Sequence, residues 1–436
     1  MKALKIAVFI FTLNVQAAGV IQIDTQGFLR SSNDRQNSIS TLSVGPRYET
    51  EGQWIRAKLD LQAIAFLSDT SSFTLEATDA YVSTSKKLLN LHEITLGRRK
   101  FDWSTADDLW DLSLWNPSFV WNPFRYDQIG QTGLFYKFQS KKFKVLLFGS
   151  PLGIPERGFP VYEENGKLVS PSTSWIPPVQ QFAFLNKQYD IQYNLIDPKI
   201  SDAILRPTGG ISFQYGDKGR GFWTSVSYGY MPMHRVDIAV KAGLSSQGVA
   251  AIDLLPVFPM HHLINFETGF VTSSWSIWGS LTGESPSRKA PPSGYISTPM
   301  GPALVTAGGG SVKWLDGLTI DLTYLYIYEQ ETPKPESIVD VAFPSRFFYK
   351  SAWAIQGRWE GPSPLAYQGR WLYDVTNASN LFSLDIEFNP SWKSPEANKG
   401  WKVGLGADIL STSTEKGYIG QYEGDDRIRG QIAYAF

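Results

Sequence analysis

The sequence predicts an all-β fold, a transmembrane antiparallel β-barrel of about 18–20 strands with long extracellular loops. Three observations point there. Aromatic residues make up 14% of the 436 residues while charged residues reach only 19%. Apolar and polar residues alternate with period 2 over segments longer than ordinary soluble strands. No run of about 20 apolar residues exists to form a membrane helix. The 40 Lys and Arg balance 41 Asp and Glu, so bulk positive charge for nucleic acid is absent. With no cysteine, neither a disulfide framework nor a cysteine-ligated metal site can form.

The chain opens as a secretory signal peptide, read as residues 1–17. Lys2 and Lys5 form a positive start, Ile6 to Val15 a short apolar stretch, and Val15-Gln16-Ala17 a small-x-small cleavage site. Residues 18–436 then form one barrel domain. In 53–67, Ile55, Ala57, Leu59, Leu61, Ala63, Ala65 and Leu67 share one face, and Trp54, Arg56, Lys58, Asp60 and Gln62 the other. Leu318, Ile320, Leu322, Tyr324, Tyr326 and Tyr328 likewise oppose Thr319, Asp321, Thr323 and Glu329. Segments 346–360, 379–389 and 400–412 repeat the pattern.

Lipid offers a backbone amide no hydrogen-bond partner, so such strands must close into a cylinder. Closure puts the apolar face on lipid and the polar face in the lumen. Expected lumen-lining residues are Arg56, Lys58, Asp60, Asp321, Arg358, Glu360, Arg370 and Asp385. Trp359, Trp371, Tyr373 and Trp401 are expected in interfacial girdles. Provisional strands number about twenty, including 234–242 and 249–258 beside Pro232, Pro256 and Pro259; a count of 18 fits nearly as well. Parity assigns 188–196 to a loop excursion. It puts the connections near 104–131, 150–208, 284–302, 330–345 and 413–426 outside, and the turns at 50–52, 217–219 and 316–317 on the periplasmic side.

The final strand ends Ile432-Ala433-Tyr434-Ala435-Phe436, with Ile428, Gly430, Ile432, Tyr434 and Phe436 on one face. This resembles the C-terminal signature of Gram-negative outer-membrane barrels. The resemblance implies that the barrel-assembly machinery reads Ile432, Tyr434 and Phe436, and that outer-membrane lipid surrounds the mature chain. Gly97-Arg98-Arg99-Lys100-Phe101-Asp102-Trp103 is similar to a stretch of some porin-like barrels, including alginate-export-like channels. Nothing further of those families' sites carries over.

A barrel this wide encloses space that its own wall side chains cannot fill. Segment 150–208, rich in Pro and aromatics, is the expected constriction or, equally, an external cap. Segment 101–131 is the second candidate, with Trp103, Trp110, Trp115 and Trp121 and W-N-P at 115–117 and 121–123. Those indoles could stack on sugars beside Asp102, Asp107, Asp108 and Asp111; rim anchoring and loop packing weigh more heavily. His261-His262 would point to opposite sides of a strand, which disfavours joint metal ligation. No catalytic residue, metal site or cofactor is assigned. The expected function is passage of small hydrophilic solutes across the outer membrane. The alternative is a non-conducting scaffold that docks partner proteins in an envelope complex.

Overall fold

The computed structural model describes the chain except residues 1–14, 30–37, 68–72, 159, 171–177, 179, 185–186, 245–249, 288–291, 298–299, 315–316, 331–345, 362–363, 390–399, 414–416 and 436. Eighteen strands make the wall. They are β1 (Val15–Phe28), β2 (Ser38–Glu51), β3 (Ile55–Phe66), β4 (Phe73–Thr84), β5 (His92–Arg99) and β6 (Gln131–Gln139). Then come β7 (Phe143–Ser150), β8 (Thr208–Asp217), β9 (Arg220–Pro232), β10 (Met260–Val271), β11 (Trp275–Pro286) and β12 (Ala303–Trp314). The last are β13 (Leu318–Glu329), β14 (Ser351–Glu360), β15 (Leu365–Asp374), β16 (Ser379–Phe388), β17 (Gly400–Thr412) and β18 (Arg427–Ala435).

Each strand pairs antiparallel with the next, and β18 returns to β1 from Val20↔Ala435 to Phe28↔Arg427. The closing ladder begins beyond Ala17, so the expected signal cleavage removes none of it. The even count puts the start of β1 and the end of β18 at one end of the barrel, with the turns at 52–54 and 218–219. The long connections lie at the other end.

Alternation sets the two faces. On β10, His261, Leu263, Asn265 and Glu267 are buried inside, while His262, Ile264 and Phe266 are exposed outside. The outer face continues in Leu96, Leu134, Ile277, Leu322, Leu384, Leu405 and Ile432, all exposed. An apolar surface of this extent far exceeds the patches a soluble monomer tolerates, so its solvent is lipid. Trp359, packed on Tyr367, and Trp401, packed on Tyr434, ring the turn end. Trp371 stacks on Tyr373 nearer the loop end. Ile432 and Tyr434 face outward, and Phe436 lies outside the described residues.

Two expected strands leave the wall. Asp237–Leu244 and Ala250–Val257 join Lys187–Leu195 and Gln181–Phe184 in a separate four-stranded sheet. Met233 to Pro259 is thus one long excursion, and β9 pairs directly with β10. Pro232 and Pro259 bracket it because proline lacks the donor that would continue a ladder. Segment 188–196 behaves as read, as part of a loop excursion.

Candidate functional site: a loop-filled lumen

The inner wall has two tiers. Toward the turns it is charged. Arg47 pairs with Asp60 at 3.2 Å, Arg56 with Glu49 at 2.7 Å, Lys58 with Asp79 at 2.6 Å and Lys402 with Glu387 at 3.2 Å. Toward the loops it turns apolar. Leu325 and Ile327 on β13, Ala352 and Ala354 on β14, Leu372 on β15 and Leu410 on β17 are all buried. An apolar inner face needs something to pack on, and the connection after β5 supplies it.

That connection, residues 100–130, runs inward instead of outward. Its helical turn Thr105–Trp110 begins at Ser104, whose hydroxyl accepts from the Asp107 N–H. Glu267, fully buried on β10, accepts from Ser104 Oγ at 3.0 Å and from the Thr105 N–H at 2.6 Å. Lys218, from the turn between β8 and β9, holds Glu267 at 2.9 Å and Asp102 at 3.0 Å. Asp107 knots the next turn. Its carboxylate accepts from the N–H groups of Leu114 at 2.8 Å and Trp115 at 3.1 Å. Burial pushes that carboxyl up to about 6 although these donors pull it down. Burial also pushes Asp108 and Asp111 up to about 7 and His234 down to about 4.

The far side of the segment reaches the opposite wall. Arg125 meets Asp385 on β16 at 2.6 Å and Asp408 on β17 at 3.4 Å. Arg429 on β18 grips the same two carboxylates at 2.8 and 2.9 Å. Gly406 makes room for them, since a Cβ there would lie 2.5 Å from Asp385 Oδ1. Arg427, fully buried, lies over the rings of Phe28 and Phe124. Tyr126 and Tyr418 share a hydrogen bond. The segment therefore spans the lumen from β8–β10 to β16–β18.

All eight expected lumen residues lie on the inward face. Register carries Asp321 across Gln356, Arg370, Ser383 and Asp408 to Arg427. Arg358 sits beside Glu360 at 2.6 Å, below the apolar tier. Trp103, Trp110 and Trp115 are buried, and Trp103 stacks on Trp115 with ring centroids 5.4 Å apart. Trp103 lies against Gly210, Trp115 against Gly229, and Trp110 edge-on to Tyr349. The side chain of Trp121 lies outside the described residues. Segment 100–130 crosses the lumen, whereas of 151–207 the described stretch that packs onto it is Ile154–Arg157, tied to Ser118, Val120 and His234.

Sequence reasoning missed Glu267, Asp408 and Arg125, and it offered Asp107 to a solute where the carboxylate instead accepts from the backbone of its own segment. One signal was available: Tyr324 to Tyr328 is apolar on both faces, which a water-lined wall would not be.

His261 and His262 do point opposite ways. His261 Nδ1 meets Glu284 at 2.7 Å inside, and His262 meets Tyr228 OH at 2.9 Å outside. Arg346 lies 3.3 Å from Glu284, so this pair anchors the loop before β14.

No family model matches the chain, and no curated protein sequence matches it. Solved structures do. Acinetobacter baumannii OccAB4 aligns with a TM-score of 0.52 at 10% identity, covering 97% of this chain and 98% of that one. Acinetobacter baumannii OccAB1 aligns with 0.52 at 9% identity, covering 97% and 96%. Pseudomonas aeruginosa OccK2 (OpdF) aligns with 0.50 at 9% identity, covering 97% and 98%. The fold is that of the outer-membrane porins. At such identity the likeness concerns the fold alone, and the apolar belt makes this porin-like chain a barrel of the outer-membrane type.

Proposed function

We propose that the chain is an outer-membrane channel through which small hydrophilic solutes pass by passive or facilitated diffusion. The observation that carries this reading is the turn-end tier: a water-compatible wall in which cation and carboxylate pair across neighbouring strands. Such a wall would solvate a polar solute without committing to one sign of charge. Above it, segment 100–130 is joined to the wall mainly through side chains such as Glu267, Lys218 and Arg125, and such contacts can exchange without unzipping a ladder. The proposed solutes are neutral or zwitterionic. The porin-like fold supports a channel over a non-conducting scaffold.

The test is reconstitution. In liposomes, the protein should speed swelling in neutral sugars and zwitterionic amino acids, and in planar bilayers it should give stepwise current. A folded barrel giving neither swelling nor current would overturn the channel and favour the scaffold.

A further inference from the structure

The wall has one weak seam. β4 and β5 share four residue pairs, from Ala80↔Arg98 to Ser83↔Thr95, the shortest ladder among the described barrel strands. Gly97 bends the strand there with φ of 127°, and a Cβ at this position would lie 2.2 Å from the Ala80 carbonyl oxygen. Beyond Arg99 the chain turns into the lumen. The loop-end half of β4, Phe73 to Asp79, therefore pairs with β3 and, among the described residues, has no ladder on its other side.

An open edge beside lipid leaves each unpaired group costing several kcal/mol. Here the edge is served by side chains. Arg157 Nη1 donates to the Leu75 carbonyl at 3.0 Å, and Arg98 Nη1 to the Ala77 carbonyl at 2.8 Å. The Gly130 N–H reaches the Thr78 carbonyl at 3.4 Å. Glu76, buried within the seam, binds both arginines, with Arg157 at 2.9 Å. A strand ladder must unzip as a unit, whereas these contacts break singly.

The surroundings are apolar on both sides. Phe73 and Leu75 are exposed on the lipid face. Ile64, Phe119 and Ile129 form a buried cluster on the lumen face. Arg157 remains half exposed and can meet an anionic head group.

We propose that the seam between β4 and β5 is a lateral portal, through which a single-chain anionic amphiphile of the fatty-acid type passes between bilayer and lumen. The tail moves from Phe73 and Leu75 to Ile64, Phe119 and Ile129. The head group exchanges with Glu76 on Arg157 and Arg98. This inference does not depend on axial solute passage, since it concerns the wall and not the pore axis.

The test uses the full chain in nanodiscs with a diazirine-bearing fatty acid, and mass spectrometry maps the adducts after illumination. Adducts are expected on peptides holding Ile64, Phe119 or Ile129. They should rise several-fold in Glu76→Gln, which holds the arginines less firmly, and fall several-fold in Arg157→Glu, which repels the head group. Labelling of outward Ile432 should stay unchanged in both. Absence of adducts at those three residues in every variant would overturn the portal. So would equal labelling of remote inward Asn265 and Ser280, which would mean entry along the axis.

Discussion

Asp107 shows how one side chain shapes the lumen. Its carboxylate replaces the missing backbone partners of Leu114 and Trp115 after the helical turn, where Asp111 and Ser113 adopt positive φ. Asp108 and Asp111 sit nearby, held up by burial to about 7. An acid whose folded pKa exceeds its unfolded value of 3.8 binds more protons folded than unfolded. The seating of the segment should then strengthen as pH falls from about 7 toward 4. His234 acts oppositely: its folded pKa near 4 lies below the ordinary imidazole value of 6.5, so its contribution is lost on acidification through that window. The three carboxylates outnumber it. Single-channel recordings from pH 8 to 4 should show fewer openings in acid, and Asp108→Asn with Asp111→Asn should flatten the profile. A wild-type profile that rises in acid would contradict this account. Arg125 gives a second residue-scale prediction. Arg125→Ala removes the bridge to Asp385 but leaves Asp408 with Arg429, so the loss is about 1–3 kcal/mol and channel flicker increases. Arg429→Ala leaves fully buried Asp408 with Arg125 at 3.4 Å as its remaining close ion-pair partner and should cost more, about 3 kcal/mol, read as a larger drop in the unfolding midpoint.

At the scale of elements, the sequence resolved most of the wall, because lipid outside and polar lumen inside write a period of two into each strand. It misassigned Asp237–Leu244 and Ala250–Val257, whose local patterns also suit strands. They are strands, but in a sheet of the loops, and only their partners distinguish the two cases. Replacing Ala239 to Leu255 with a short Gly/Ser turn should therefore leave the barrel closed. The variant should still migrate differently before and after boiling on a gel; loss of that shift would place the excursion in the wall. Segment 100–130 was recognised as a candidate from its tryptophans. Its path was not legible, since the wall residues that receive it, Glu267, Asp385 and Asp408, lie about 140 to 300 positions away in sequence.

For the whole molecule, the paired charges of the turn-end tier should make the channel only weakly selective between small ions. Reversal potentials in a potassium chloride gradient should lie near zero. Neutralising Glu49, Asp79 and Glu387 together frees Arg56, Lys58 and Lys402, and should shift the potential toward anion preference. A strongly cation-selective wild type would mean that the paired wall does not line the path. Composition and alternation by themselves determined that this chain is a closed barrel in a membrane, because the solvent on each face acts on every residue along a strand. The strand count, the segment that enters the lumen and the sealed seam beside β4 were decided only in three dimensions. Each depends on which distant backbone or carboxylate meets a group that would otherwise be buried without a partner, and proximity of that kind leaves no period in a sequence.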